Sequence, residues 1–533
     1  MEDSLKLYDK HLKNSHLITD KNVKEEISSN AGTPFDGEIH NVKNTKNFSS
    51  AFATVKISLR SGFRYDDLIL QKEDVEVNAN GVLIGHDAED AGQGNQAKNL
   101  KREIKMELNS TFVADGKRFS AKEIVGHILN YVKEISLQTA REKMINEPLE
   151  GVVISVPAAF TSNEKEFIRA AAEIPTSRGG AGLRVLGFIK EPVAAALYYF
   201  SSPLNDNEKI LVYDLGGGTC DVAIVKSDSR ASEKYTVIDS DMLRIGGKNW
   251  DEKLQTYITR ELEKQSGISI RDNPAYTEKI KRAAIKAKED FSVKRGNTYR
   301  DKVQARIEIN GRNYRVEITK ELFNELTREL LNKTITMTRA LIEKNHIGAG
   351  DKFICVGGSS NMPQVIEGLK SAFRNMNIQV VEPEKAVALG AAIYAQLCEE
   401  TGIGRAVLSD IAPYSYGIRC YEDYDKNPDR EIVVNLIFKS DRLPKMTEHN
   451  FFTVQDGQKT LVFKVFESGL TKKNCELYEV GDYIMEVELP LPHRPPKNTS
   501  VEVTMTLNAD GLIEVAADDG KGHIIRGNKH LNF

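Results

Sequence analysis

Two carboxylates, Asp214 and Asp221, bracket three consecutive glycines, Gly216, Gly217 and Gly218, in the stretch LVYDLGGGTCDVAIV at 211–225. An apolar run stops at the glycines and resumes as a second apolar run, so the pattern reads strand, turn, strand. Glycine leaves backbone amides bare and reaches conformations closed to other residues. Bare amides in a tight turn form a nest for phosphate, and flanking carboxylates hold Mg²⁺ through water. Thr219 adds a hydroxyl that can orient water or touch phosphate. The plain alternative is a tight glycine β-turn. A Walker loop is excluded, because that motif runs strand, loop, helix and ends in GK[ST].

Two further glycine turns follow apolar runs. One is Gly246-Gly247 ahead of KNWDEKLQTYITREL, and the other is Gly357-Gly358 in ICVGGSS, where Ser359 precedes a helix start. A helix N-terminus favours anions. A GG turn alone is more often structural, but three such turns support one another. In KEPVAAAL, Glu191 stands at a strand-to-helix turn, either as a catalytic carboxylate or as a helix-end charge. In KREIK, Lys101 offers a cation for phosphate, or belongs to a solvated charged helix face.

These residues need elements to hold them. Helical and strand-like stretches alternate from about 51 to 404, which implies α/β architecture. ATVKISL and DVEVNANGVLIG read as strands, KNLKREIKMEL as a charged helix, and FSAKEIVGHILNYVKEISLQTAREKM as a helix behind a capping Ser. GVVISVPAAF is a buried strand ended by Pro157, and the helix after it has a cap at Thr161 or Ser162. A long helix is expected over roughly 274–294. From 410 to 533, strands separated by turn residues replace helices, which predicts an all-β domain. Residues 1–50 carry little apolar periodicity and form a poorly defined N-terminal segment; residues 405–409 form a short linker.

Composition narrows the function classes. The chain has 533 residues, 40% hydrophobic and 28% charged, with a formal net charge of −4. That balance argues against a general nucleic-acid or membrane-surface role. Five cysteines without a CxxC, two of them inside apolar strands, read as free thiols of a reducing compartment. Neither they nor the ten histidines show metal-ligand spacing. No apolar run approaches the ~18 residues of a membrane span, and the first residues are no signal peptide. The expectation is a soluble, cytoplasmic protein with no nucleic-acid or membrane partner.

In order, VISVPAAFTSNEK, GFIKEPVAAAL, VYDLGGGTCDVAIV, GGKNWD, VGGSSNMPQV, EPEKAVALGAA, SDIAPYSYGI and LNADGLIEVAA resemble the 70-kDa heat-shock protein family of chaperones, from about 80 to 525. The resemblance implies an α/β actin-like (ribonuclease H-like) ATPase domain of two lobes around an ATP cleft. An all-β sandwich for extended hydrophobic peptides would follow. It makes 211–225 the second of two phosphate hairpins and implies ATP/ADP and Mg²⁺ as cofactors. Asp214 and Asp221 would hold Mg²⁺ through water, while Gly216, Gly217, Gly218 and Thr219 would contact the β- and γ-phosphates. Lys101 matches the catalytic lysine and Glu191 the carboxylate near the attacking water. Gly246, Gly247, Lys288, Ser292, Gly357, Gly358, Ser359 and Glu384 would line the nucleoside pocket. Pro157 would help relay nucleotide state, with Lys165 in place of an arginine. Ile418, Tyr421, Val454, Leu461 and Phe463 would line and arch the peptide channel. Spacing alone makes such alternation the inner face of a sandwich. J-domain co-chaperones and nucleotide-exchange factors are partners that the family implies.

The departures matter as much. The family's first phosphate hairpin, a strand ending in DLGTT, has no counterpart in 1–80. In IKAKEDFS, Ile285 and Glu289 replace a ribose-contacting glutamate and an adenine-stacking arginine; Asn361 replaces another arginine, and Glu384 an aspartate. The linker Ala406-Val407-Leu408-Ser409 replaces a leucine run, and the sequence stops at Phe533, where a helical lid would begin. Two expectations therefore stand side by side. One is an ATP-hydrolysing chaperone; the other is a non-hydrolysing nucleotide-sensing or peptide-binding module, or an incomplete gene product. A carbohydrate kinase of the same superfamily does not account for the β-domain.

Overall fold

The computed structural model describes residues 110–528 apart from short breaks, and ahead of them the strands at 55–58, 75–78, 81–84 and 100–101. The chain divides into two compact units. One comprises residues 1–158, 171–230 and 241–404; the other comprises 159–170, 231–240 and 405–533.

In the first unit, the glycine hairpin lies within a sheet. Strand Lys209–Leu215 pairs antiparallel with Cys220–Ser227 and parallel with Lys352–Val356, which pairs in turn with Asn377–Val380. Strands covered on both faces read as unbroken apolar runs, and Ile210, Leu211, Val212 and Tyr213 are all fully buried. A second sheet pairs Gly151–Val156 parallel with Val185–Lys190 and antiparallel with Val55–Ser58. Helix Glu191–Phe200 packs on helix Ala386–Glu400. Their approach is so close that a Cβ at Gly390 would lie 1.6 Å from the carbonyl oxygen of Ala194.

Local chemistry explains several element ends. Ser120 and Glu123 form a reciprocal capping box at the start of Ala121–Glu142, the Glu123 amide donating to Ser120 Oγ and the Ser120 amide to Glu123 Oε2. The strands Lys302–Ile309 and Arg312–Thr319 join through Asn310-Gly311, both left-handed at φ 51° and 74°, the backbone a two-residue hairpin turn demands. The expected long helix spans Pro274–Ser292, capped by Asn273, whose side chain accepts from the amides of Ala275 and Tyr276. One expectation is corrected. Leu100–Lys101, in the stretch read as a charged helix, is a strand paired with Val75 and Glu76. A sheet edge there supplies backbone partners, and pairing of that kind overrides a weak helical propensity.

In the second unit, five strands in the order Asn474–Glu476, Glu431–Ile437, Ser415–Tyr421, Thr460–Ser468 and Met485–Pro490 form one sheet. Lys445–Phe452, Ser500–Leu507, Ile513–Asp518 and Ile524–Asn528 form another. Alternating residues of both sheets share one core, including Ile418, Phe463, Val465, Val487, Phe451, Val503, Met505 and Val515. Among the described residues of 410–533, the only helical piece is the single turn Leu477–Glu479. In the stretch expected to be a linker, Leu408–Ser409 pairs parallel with Tyr235–Thr236.

The segment 159–170 starts helix Ser162–Ala172 within this same unit. Thr161, rather than Ser162, caps it, its Oγ1 accepting from the Glu164 amide. That leaves Ser162 free to donate from Oγ to the Gly511 carbonyl. Among the described residues, no helix is long and apolar enough to cross a membrane.

Candidate functional site

The register of the glycine hairpin places Asp214 directly opposite Asp221. Both are buried, at 5% and 1% exposure. Two carboxylates facing each other across a ladder, out of water, repel. A divalent cation answers that repulsion, so the donor set fits Mg²⁺, whose ligands are carboxylate oxygens and water. Asp221 Oδ1 accepts from the Ala158 amide at 2.6 Å, which fixes its rotamer. Between the aspartates, the Gly216 amide donates to the Thr219 carbonyl and closes the turn. Thr219 is buried beside them. Burial and the Asp221 and Asp214 carboxylates push the thiol of Cys220 well up, although Tyr213 opposes this, so Cys220 packs rather than reacts.

The second glycine turn docks on the first. The amides of Gly247 and Lys248 donate to the carbonyls of Gly216 and Gly217, both at 2.9 Å. A Cβ at Gly246 would lie 2.5 Å from Gly217 and Gly218 backbone atoms, so only glycine permits this approach. Asn249 holds the turn, its Oδ1 accepting from the Gly246 amide at 2.9 Å. The third turn joins from the neighbouring strand, where Val356 pairs with Asp214. Gly357 is left-handed at φ 82°, and a Cβ there would sit 2.4 Å from Asp214 Oδ1 and from the Leu215 carbonyl oxygen.

These approaches gather polar groups at one point. A Cβ built on Gly247 would meet Ser359 Oγ at 2.4 Å, Lys288 Nζ at 3.1 Å and the Gly216 carbonyl oxygen at 3.6 Å. Lys288 reaches there from helix Pro274–Ser292, its Nζ donating to Asp251 Oδ2 at 2.8 Å and to the Gly247 carbonyl at 3.3 Å. Ser292 lies one turn further on, its Oγ 3.5 Å from the Lys288 carbonyl. The structure therefore brings together Asp214, Asp221, the residues 216–219, Gly246, Gly247, Lys288, Gly357, Gly358 and Ser359, with Ser292 one helical turn beyond Lys288. Asp251 and Asn249 belong with them and were not singled out from sequence. Their signal was GGKNWD itself: a carboxylate one turn into a helix that starts on two glycines.

The remaining expected residues are placed less tightly. Glu191 is the first residue of helix Glu191–Phe200 and is buried, and Pro157 follows strand Gly151–Val156. Glu384 lies in the turn before helix Ala386–Glu400, where burial raises its pKa, with Lys385 opposing and Glu382 adding to the rise. Lys101 ends its strand, and its side chain lies outside the described residues, as does the segment 1–50. Lys165, buried at 4% exposure, donates from Nζ to the Asp510 carbonyl at 2.8 Å.

The family model for the Hsp70 protein matches residues 73–527. This chain belongs to the Hsp70 family. Membership brings chaperone-like binding of nucleotide and of peptide at the level of the family, whose members take ATP or ADP with Mg²⁺.

The sandwich residues divide into three settings. Ile418 and Phe463 are core residues, at 0% and 3% exposure, with Phe463 edge-on to Phe451 at 5.7 Å. Leu461 shares that face of the strand and packs against the core half-buried. Val454 follows strand Lys445–Phe452, its amide donating to Gln458 Oε1, and Tyr421 ends its strand exposed, edge-on to Tyr424 at 4.9 Å.

Proposed function

We propose that this Hsp70-family chain binds Mg²⁺ with ADP or ATP at the three converging glycine turns and an extended hydrophobic peptide in its β-sandwich. The observation that carries the nucleotide half is the point in front of Gly247, where Lys288, Ser359 and a glycine carbonyl meet beside the opposed Asp214 and Asp221. The turn amides would hold phosphate, Lys288 would line the nucleoside pocket, and the two aspartates would orient the water around the metal. Glu191 and Thr219 are the groups to position an attacking water, and Lys101 the cation for the phosphate. Glu384 lines the nucleoside side. Pro157 and Lys165 would carry nucleotide state between sites.

Hydrolysis is expected to be slow, because nothing in 1–80 supplies a DLGTT-like hairpin and losing one preorganised donor typically costs ~10²–10³ in rate. Peptide would bind through backbone hydrogen bonds and one central pocket. Phe463, a core residue, would limit that pocket's depth from below and favour side chains smaller than leucine, with fast release. The short linker should leave peptide affinity nearly indifferent to nucleotide, and J-domain and exchange-factor partners are those of the family. Radiolabelled ATP and Mg²⁺ mixed with excess full chain test this reading: nucleotide should be retained on the protein with little phosphate released. Absence of retention, or rapid turnover abolished by Asp214→Ala, would contradict it.

A further inference from the structure

At one edge of the β-sandwich, two imidazoles face one carboxylate. We propose that His493, Asp519 and His523 form a binding site for a borderline divalent metal ion of the Zn²⁺ class. One ligand atom from each residue lies within 4.8 Å of the other two. The proposal is independent of nucleotide and of peptide.

Two turns build the cluster. His493 sits in the turn Leu491-Pro492-His493-Arg494, closed by the Arg494 amide donating to the Leu491 carbonyl at 3.1 Å, with Pro492 fixing the second position. Asp519 and His523 come from the connection between strands Ile513–Asp518 and Ile524–Asn528, where Gly520 and Gly522 are left-handed at φ 69° and 92°. The Asp519 carboxylate is fully shut from solvent. Its Oδ1 accepts from the amides of Lys521 and His523, at 2.8 and 3.1 Å. That oxygen is a positioning group, and it turns Oδ2 toward the two rings. Oδ2 lies 2.8 Å from His523 Nδ1 and 3.4 Å from His493 Nδ1.

The ordinary explanation is a hydrogen bond that staples the turn, and it accounts for His523. It does not account for His493. Both of its ring nitrogens are closed off from solvent and have no hydrogen-bond partner, although the rings of His493 and His523 stack at 6.0 Å. A buried polar nitrogen left unsatisfied costs about 1–3 kcal/mol, and a metal ion at Nδ1 removes that cost for one of the two. The geometry suits tetrahedral coordination. Metal–ligand bonds of about 2.0–2.1 Å put adjacent ligand atoms about 3.3 Å apart. The His493 separation already has that length, and the His523 ring, 44% exposed, is free to open by the remaining half-ångström. Two imidazoles and one carboxylate select Zn²⁺ and its neighbours over Mg²⁺ or Ca²⁺. Three protein ligands leave a fourth position for water. Sequence spacing hides the set, since His493 lies on a different turn from the other two.

The test uses the full, untagged chain stripped with chelator, and Co²⁺ followed by Zn²⁺ as probes. One equivalent of Co²⁺ should give the visible absorption of a tetrahedral site, and Zn²⁺ should bleach it. His493→Ala and His523→Ala should each weaken uptake by at least ~10–100-fold, the loss typical even of outer-sphere partners. Binding of Mg²⁺-ADP should not change in either. His493→Gln and His523→Gln give a second pair of variants should alanine disturb a turn, with circular dichroism checking the fold. No uptake by the wild-type chain overturns the proposal. So does uptake that survives in the double histidine variant, which would place the ion on the cysteines.

Discussion

The glycine site and the peptide face of the sandwich present opposite problems. Around Asp214 the site is written in backbone, where glycines stand because a Cβ would collide with neighbouring main chain. In the sandwich it is written in apolar side chains, and Ile418 and Phe463 lie in the same core cluster as Val503 and Met505. Binding and stability are therefore separable in the first region and entangled in the second. A substitution at the glycine site should cost more in ligand binding than in folding; one at the sandwich core should do the reverse.

Phe463→Ala sharpens that contrast most. Removing this ring from beside Phe451 should cost about 3–5 kcal/mol, read by chemical denaturation, and any loss of peptide binding should track unfolding. If the variant is as stable as the parent yet binds no peptide, Phe463 is a channel residue and the entanglement is wrong. Glu467, in the strand that carries Leu461 and Phe463, provides the next test. Burial raises its carboxyl pKa from the ordinary 4.5 to about 7, with Glu164 adding to the rise and Tyr416, the Ser162 amide and Lys165 opposing it. The folded chain keeps this proton up to about pH 7, whereas the unfolded chain releases it near 4.5. Stability contributed by this group therefore falls as pH rises across that window and stays flat above it, by up to ~3 kcal/mol. Glu467→Gln should remove the slope and raise Tm at pH 8. An unchanged pH profile would show that the carboxyl is solvated.

On the glycine side, Gly357→Ala forces a left-handed alanine against Leu215 at a cost of about 1–3 kcal/mol, and nucleotide binding should disappear while the chain still folds at low temperature. Asp214→Asn should have the smallest effect on folding and with the opposite sign. Relieving one of two facing charges should stabilise the metal-free chain by up to ~1 kcal/mol, yet the Mg²⁺ dependence of nucleotide binding should be lost. A destabilised, still Mg²⁺-dependent variant would mean that the two aspartates never share a metal.

The same contrast explains what could be read from sequence. GGG, GG and GG after apolar runs announce themselves because few backbones tolerate nothing but glycine, and their order carried the fold. Asp251 stayed hidden because a carboxylate inside a helix looks like a solvated face until Lys288 is seen 2.8 Å away. The alternation of Leu461 and Phe463 could not separate core from channel, since both demand apolar residues at period two. Within KNLKREIKMEL, Leu100–Lys101 departed from the helical reading for a third reason: the charges suit a helix, but the pairing with Val75 and Glu76 is set by residues distant in sequence.

Titration calorimetry of Mg²⁺-ADP into the full chain and into Gly247→Ala tests the central claim most directly. The new methyl would meet only the side-chain tips of Ser359 and Lys288 at close range, and no backbone, so the fold should survive while the space they enclose is filled. The account predicts saturable, Mg²⁺-dependent binding of one nucleotide per wild-type chain, weakened at least ~100-fold in the variant, a loss of about 2.7 kcal/mol. Equal affinity in both proteins, or no binding by the wild-type chain, would contradict it.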